Sequence, residues 1–236
     1  MKIHKRIFRG IQKAWIRARW RLRPGLLAPL KEDLGRLEAN RVDCNWLEEY
    51  GFVSGWALRV QAKRVAEIGV AYGYHAEQIC RSLPDLSYFG IDPYLAGYDR
   101  QDSLAADVER LLPDPSGGSM DRLYRAVACK LAVQFSGRAN LLRRTSEEGA
   151  AFFPDHFFDL VYVDGDHTYE GVRRDLALWM PKVRPGGIFC GDDYDWEGVR
   201  RAVDTFVANR QLSREPSPPK KWVIRVQGQS LSSSAP

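Results

Sequence analysis

The stretch Arg64-Val65-Ala66-Glu67-Ile68-Gly69-Val70-Ala71-Tyr72-Gly73 decides the fold. Its first five residues read as a short apolar strand, and the two glycines bracket a turn that leads into a helix around Ala76 to Leu83. A glycine-rich turn lets backbone pass close to a ligand, because no Cβ stands in the way. A dinucleotide-binding turn would read GxGxxG and hold a pyrophosphate on the helix N-terminus. This turn reads Glu-x-Gly-x-x-x-Gly and lacks the second glycine of that fingerprint. It therefore suits a nucleoside without a pyrophosphate.

Outward from this turn the pattern alternates. Tyr88-Phe89-Gly90-Ile91-Asp92, Ala139-Asn140-Leu141-Leu142, Phe158 to Asp164, Gly187 to Cys190 and Trp222 to Val226 read as further strands. Between them lie helical patterns carrying Leu123, Val127 and Leu131, then Val172, Leu176 and Trp179, then Val199, Val203 and Phe206. Alternating strands and helices imply a doubly wound, Rossmann-like α/β fold, with a mostly parallel sheet and helices on both faces. Near-continuous apolar strands agree, since such strands are buried on both sides. The expected organisation is a basic amphipathic helix over 1–25, a helical lead-in over 26–60, the α/β domain over 61–227 and a Ser-rich, disordered tail over 228–236. Pro93 to Arg138 is long for a connection, and its first half, with Pro113, Pro115, Gly117 and Gly118, is a candidate lid. Only one clear strand follows the last helix, which leaves the sheet edge open.

Charge is unevenly placed. Of 35 basic residues, nine fall within 1–23, where there is no acid, so the rest carries 26 basic against 30 acidic residues, a net of −4. A mildly acidic body argues against one shaped to lie along nucleic acid. In the basic segment Ile3, Ile7, Ile11, Trp15, Ala18 and Leu22 recur at helical spacing. Two readings stand equal for it: peripheral contact with an anionic membrane, and an extension that is solvated or packed on a partner. Its interspersed arginines give no signal-peptide core, and no apolar run approaches the roughly 18–20 residues that span a bilayer. Cys44, Cys80, Cys129 and Cys190 form no CxxC pair and read as free buried thiols in a reducing compartment. A cytoplasmic protein, with contact at the inner membrane face as an option, is the expectation.

In a doubly wound sheet, ligands bind beyond the carboxyl ends of the strands. Glu67, Asp92, Asp164 with Asp166 and His167, and the pair Asp192-Asp193 all stand there. Any one of these acids is of a type that caps a helix or starts a turn. Asp92 ends the second strand 23 residues after Gly69, where an acid can take both ribose hydroxyls. Asp164, Asp192 and Asp193 end adjacent strands. Three carboxylates there repel one another unless a cation sits among them, and hard oxygen ligands select Mg²⁺, Mn²⁺ or Ca²⁺.

Glu67 to Gly73 and Phe89-Gly90-Ile91-Asp92 resemble the first two motifs of class I S-adenosylmethionine methyltransferases. Val163-Asp164-Gly165-Asp166-His167-Thr168-Tyr169-Glu170-Gly171, then Arg184-Pro185-Gly186-Gly187 and Asp192-Asp193-Tyr194, resemble a branch that includes bacterial metal-dependent O-methyltransferases of sugars and natural products. The resemblance covers roughly residues 60–226. It implies that Glu67, Gly69 and Gly73 line the methionine part of S-adenosylmethionine, that Asp92 holds its ribose, and that Ser146 contacts the adenine. It also matches Asp164, Asp192 and Asp193 to metal ligands, Mg²⁺ or another hard divalent cation, and Asp166 to a catalytic base. On this reading the metal orients and acidifies a hydroxyl of a small acceptor, and Asp166 or His167 takes the proton.

Three rivals share the fold class. A nicotinamide oxidoreductase would need the missing GxGxxG. A nucleic-acid methyltransferase would need a base pocket of the Asn-Pro-Pro-Tyr type, which the sequence lacks. A non-catalytic, membrane-tethered module would have no reason to keep acids at each expected strand end. The acceptor and the oligomeric state are not written in the sequence.

Overall fold

The computed structural model describes residues 27–43, 51–99 and 103–227. The amphipathic segment 1–23, Cys44 and the Ser-rich tail lie outside the described residues. Two helices, α1 (Leu27–Asp43) and α2 (Gly51–Arg59), precede the sheet. Then follow β1 (Arg64–Ile68), α3 (Tyr74–Ser82), β2 (Ser87–Ile91), α4 (Leu104–Leu111), α5 (Ser119–Gln134) and β3 (Ala139–Leu142). The second half runs α6 (Ser146–Ala150), β4 (Phe158–Val163), α7 (Tyr169–Trp179), a 3-10 turn (Met180–Lys182), β5 (Val183–Gly191), α8 (Glu197–Asn209) and β6 (Trp222–Arg225).

The strands order as β3-β2-β1-β4-β5-β6, and only the β5–β6 pairing is antiparallel. The chain reverses direction across the sheet between β1 and β4, the position at which doubly wound sheets open a ligand crevice. The open question about the sheet edge also resolves. Arg214 makes a single antiparallel bridge to Ile224, the remnant of a hairpin whose second arm is β6.

Each strand feeds two cores by the alternation of its side chains. Leu160, Tyr162, Ile188 and Cys190 join one apolar cluster with α1, α2, α3 and α5. Val161, Val163 and Phe189 join the other with α7 and α8. Because both faces are covered, the strands read as continuous apolar runs rather than alternating ones. Each fully buried Val, Leu or Phe contributes about 1.5–3 kcal/mol relative to exposure. Cys80, Cys129 and Cys190 are buried free thiols, and burial pushes the Cys80 thiol up to about 12.

Buried polar groups fix the helices. Glu77 of α3 is 1% exposed and pairs with Arg41 of α1 (2.7 Å) and Lys130 of α5 (2.6 Å), so one carboxylate ties three helices together. On the other face, Ser146 Oγ at the start of α6 donates to Asp175 Oδ1 and accepts from Trp179 Nε1 (2.8 Å), both on α7. Burial dominates the Asp175 carboxyl and pushes it up to about 7, against the lowering effects of Ser146 and Arg174.

Gly73 caps α3 at φ 70°, and a Cβ built there would lie 2.6 Å from Val127 Cγ1 of α5. Its place in the fold is helix packing at a left-handed position.

Two stability outcomes follow. Gly73→Ala should cost about 2–4 kcal/mol from left-handed strain and overpacking. Part of that cost overlaps with Val127→Ala, so the double variant should lose about 1–2 kcal/mol less than the sum of the singles. Strict additivity in urea unfolding would contradict the contact. Asp175 ionises near pH 3.9 in the unfolded chain and near 7 in the fold, so its contribution is full below about pH 4 and is lost as pH rises to 7. Asp175→Asn should remove a decline on the order of 4 kcal/mol across that window. An unchanged pH profile of unfolding free energy would refute it.

Candidate active site

The turn after β1 is closed from beneath by Asp92. Its Oδ2 accepts from the backbone N–H of Val70 (2.9 Å) and Ala71 (3.0 Å), and its Oδ1 accepts from Tyr94 N–H (2.6 Å). These bonds hold Ala71 at φ 45°, with Tyr94 Oη donating to the Ala71 carbonyl (3.0 Å). Burial is the largest influence on Asp92 and raises its carboxyl, while the three amides work against it. A carboxylate offers about four lone-pair sites. Three are taken, so the room left at Oδ1 suits one ligand hydroxyl rather than the pair expected from sequence.

Gly69 turns the chain at φ 87°, and a Cβ there would sit 1.8 Å from the Asp164 carbonyl oxygen. Glu67 does not point into open space. It is 2% exposed, its Oε1 meets His75 Nδ1 at 2.6 Å, and its Oε2 accepts from the Tyr88 hydroxyl. The tyrosine hydroxyl is held well above its ordinary pKa, first by burial and then by the Glu67 charge.

A cavity of about 360 Å³ opens above this turn. One wall carries Glu67, Gly69, Ala71, Asp92, Ser146 and Asp175. The loop after β2, with Leu95, Tyr98 and Asp99, covers part of it, and Ser146 N–H donates to Tyr98 Oη at 3.4 Å. The other wall carries Asp164, His167, Asp192 and Lys221. Ser146 lines the cavity, with its hydroxyl already committed to Asp175 and Trp179.

The site differs from the sequence expectation in three respects. Asp192 is not held open for a metal: its Oδ2 accepts from Lys221 Nζ and from Tyr162 Oη (2.8 Å), and its Oδ1 accepts from Asp193 N–H (2.8 Å). Asp166 is turned away from the large cavity. Its Oδ1 accepts from Thr168 N–H (2.8 Å) and Oγ1 (2.7 Å), and its carboxyl group lies directly over Gly171, where a Cβ would come within 2.0 Å. The carboxylate thus organises the start of α7, and the geometry does not present it as a base. Gly73, as described, packs on Val127 and does not line the cavity.

His167 instead joins the acids. Its Nδ1 meets Asp99 Oδ2, which also accepts from the His167 backbone N–H (3.0 Å), and its Nε2 lies 2.8 Å from Asp193 Oδ2. Trp196 tilts over the imidazole with ring centroids 4.7 Å apart. Burial by itself would lower the imidazole pKa, but Asp193 and Asp99 outweigh it and push it up to about 11. Both imidazole nitrogens thus face carboxylates, and a cation taking the Nε2 lone pair would displace the proton shared with Asp193. One donor atom each from Asp164, His167 and Asp193 lie within 4.8 Å of one another. Asp193 adopts φ 54°, a left-handed conformation that is costly for a side chain other than glycine and is found where geometry serves a site. Among the described residues no hydrogen bond or ion pair reaches the Asp164 side chain. Burial, then the charges of Asp192 and Asp193, hold its carboxyl far above the usual carboxylate range. Such a set fits a bound cation.

Sequence reasoning missed Lys221, Asp99, Tyr162 and Asp175. Lys221 had a readable signal. It immediately precedes β6, and an antiparallel edge strand begins at the carboxyl end of its parallel neighbour, here with Trp222 opposite Gly191. Asp99 had none, because it comes from a loop 68 residues before His167.

Comparison with known proteins agrees with this architecture. The uncharacterized protein y4gI of Sinorhizobium fredii is 28% identical over 150 residues, which cover 63% of this chain. The matched region spans only 15% of that protein's length. Among solved structures, SAH-bound methyltransferase PaMTH1 of Podospora anserina superposes with a TM-score of 0.56 at 15% identity, covering 84% of this chain and 88% of its own. TomG of Streptomyces achromogenes, an O-methyltransferase involved in tomaymycin synthesis and solved in complex with SAM, gives 0.54 at 17% identity, covering 85% and 90%. A family profile described as a methyltransferase domain matches residues 66–194, just over half of the chain. The chain belongs to this methyltransferase-domain family.

Proposed function

We propose that this chain is an S-adenosylmethionine-dependent methyltransferase that methylates an oxygen of a small hydroxylated acceptor, sugar-like or natural-product-like, with help from a divalent cation. The observation that carries the reading is a single cavity with two unlike walls: a glycine turn closed by Asp92, and a cluster of acids with His167. TomG, an O-methyltransferase of like fold, supports oxygen as the nucleophile.

S-adenosylmethionine supplies a methyl group on a sulfonium, which already leaves well, so the protein's part is chiefly positioning. The Gly69–Ala71 backbone passes close to the ligand, and Asp92 keeps that turn shut while offering an acceptor for a ribose hydroxyl. Ser146 and Tyr98, joined at 3.4 Å, stand at the end of the cavity that suits the adenine. Asp164, Asp193 and His167 would hold the cation, which, when bound, lowers the pKa of an acceptor hydroxyl and fixes its orientation. The proton from that hydroxyl would pass to a carboxylate of this wall, since His167 would be engaged by the cation through Nε2 and by Asp99 through Nδ1. A mildly acidic body and the missing GxGxxG weigh against nucleic acid and nicotinamide respectively. Contact between residues 1–23 and an anionic membrane is a further proposal resting on sequence alone. Among the described residues no helix is long and apolar enough to cross a membrane.

Asp92→Asn puts an amide where a carboxylate serves three N–H donors, and should weaken S-adenosylhomocysteine binding by about 1.5–3 kcal/mol in calorimetry. Unchanged affinity would remove Asp92 from the cofactor site. For the basic segment, deleting residues 1–23 should abolish co-sedimentation with anionic liposomes. Equal sedimentation of the truncated chain would end the membrane proposal.

A further inference from the structure

We propose that the cation site of this chain is built from Asp164, His167 and Asp193, that Lys221 withholds Asp192 from it, and that the site takes a first-row transition metal in preference to Mg²⁺. This deepens the metal-assisted reading above and rests on it for the role of the ion, though not for its binding.

Charge comes first. Lys221 is 4% exposed, and its Nζ lies against Asp192 Oδ2. The same oxygen accepts from Tyr162 Oη, and the other from Asp193 N–H, so three donors already serve Asp192. A half-buried carboxylate whose charge is offset by a buried ammonium draws a cation less strongly. Lys221 reaches it because β6 is antiparallel, with Trp222 opposite Gly191 at the carboxyl end of β5.

His167 supplies the donor that Asp192 no longer offers. Its Nδ1 and its backbone N–H both meet Asp99 Oδ2, and its Nε2 faces Asp193 at 2.8 Å. A carboxylate on the far nitrogen is the usual way a metal-binding imidazole is oriented and its tautomer fixed. Trp196 restrains the ring from one side.

A second observation points to an occupant. Beside these residues lies a pocket of about 10 Å³, lined by Asp164, Asp166, His167, Asp192, Asp193 and Trp222, with the Asp192 oxygens already committed to Lys221, Tyr162 and the Asp193 N–H. Trp222 is 1% exposed, and its Nε1–H has no hydrogen-bond partner among the described residues. A buried N–H left without an acceptor costs about 1–3 kcal/mol. The pocket is about the size of one water, so it takes a single small occupant beside the indole and the Asp164 carboxyl. Together with the unpartnered Asp164 carboxylate, the pocket has one orphaned acceptor and one orphaned donor.

Donor chemistry then selects the ion. Mg²⁺ favours oxygen ligands throughout and gives up its waters reluctantly. One imidazole with two carboxylates suits Mn²⁺, Co²⁺ or Zn²⁺ better. Lys221 is thus the selectivity-determining residue, since its removal returns Asp192 to the oxygen set.

The test is metal binding by the full chain after chelation and dialysis, with Co²⁺ followed by visible absorption and Mg²⁺ by calorimetry. S-adenosylhomocysteine affinity in each variant reports folding and the cofactor site separately. Co²⁺ should bind at least tenfold more tightly than Mg²⁺, and His167→Gln should weaken Co²⁺ at least tenfold. Asp192→Asn should change Co²⁺ affinity less than threefold, and Lys221→Met should tighten Mg²⁺ at least tenfold. Loss of binding in Asp192→Asn with retention in His167→Gln would overturn the proposal in favour of three carboxylates. A wild-type chain that binds S-adenosylhomocysteine but neither ion would also overturn it, leaving methyl transfer standing. Co²⁺ binding through His167 without any S-adenosylhomocysteine binding would uphold the site and remove the cofactor reading.

Discussion

The contact between Gly69 and the end of β4 organises the rest of the site. A Cβ at Gly69 would lie 1.8 Å from the Asp164 carbonyl oxygen, so the two strand ends meet backbone to backbone. The ladder continues through this contact, with Asp164 N–H donating to Ile68 at 2.8 Å and Gly69 N–H donating to Ile91 at 2.9 Å. The chain can therefore leave β1 over β2 and leave β4 over β5 without the two turns separating. That divergence is the topological crevice of the sheet. Asp92 closes one side of it and Asp164 opens the other, and both face one space because nothing larger than a hydrogen fits at position 69. Any side chain there would push apart the two walls that must cooperate.

Much of this arrangement was legible in the sequence, and for one reason. Strands buried on both faces are apolar throughout, so an acid that ends such a run marks the point where the chain leaves the core. Asp92, Asp164 and Asp192 announced themselves in that way, and so did the helices between them through Val127, Leu176 and Val203. What was not legible is which partner each acid meets. Asp192 and Asp193 are adjacent and alike in sequence, yet one is neutralised by Lys221 while the other faces His167 at 2.8 Å. That difference is set by the register of an edge strand and by the left-handed backbone at Asp193, neither of which a local pattern encodes. Asp166 was matched to a base by the family resemblance, but its short side chain satisfies Thr168 and rests on Gly171. A local side-chain-to-backbone turn, a competitor for every aspartate in a loop, took that residue and leaves the capping of the helix to Thr168. His167 was legible as a candidate and not as a geometry, because its orientation depends on Asp99 from a distant loop.

The loop that carries Asp99 also links the two walls. Tyr94 supports the cofactor turn through Ala71, Tyr98 meets the Ser146 backbone, and Asp99 holds His167. Within a few residues of Asp92 the chain thus touches every part of the cavity. On the proposed reading, a ligand that orders this loop at Tyr98 also sets the imidazole through Asp99. Cofactor and cation would then favour one another, with a coupling that is reciprocal by linkage.

The electrostatics of the proposed reaction fit the sign of this cavity. A sulfonium donor is cationic and its demethylated product is neutral, while the acceptor oxygen goes from partly anionic to neutral. Even leaving Asp164 aside, Asp99, Asp192 and Asp193 outnumber His167 and Lys221, so the wall is net negative. A negative wall attracts the charged donor more than the spent product, which helps exchange one for the other. The same wall opposes an anionic nucleophile. The proposed divalent ion beside Asp164 would resolve this conflict, because it would offset the carboxylates locally, at the acceptor, without cancelling the field across the cavity at the sulfonium. Lys221 performs a fixed part of that offset at Asp192, permanently and away from exchange with solvent. On the proposed reading the chain would divide its compensation between a built-in ammonium and an exchangeable cation, and only the second would be placed to respond to which acceptor is bound.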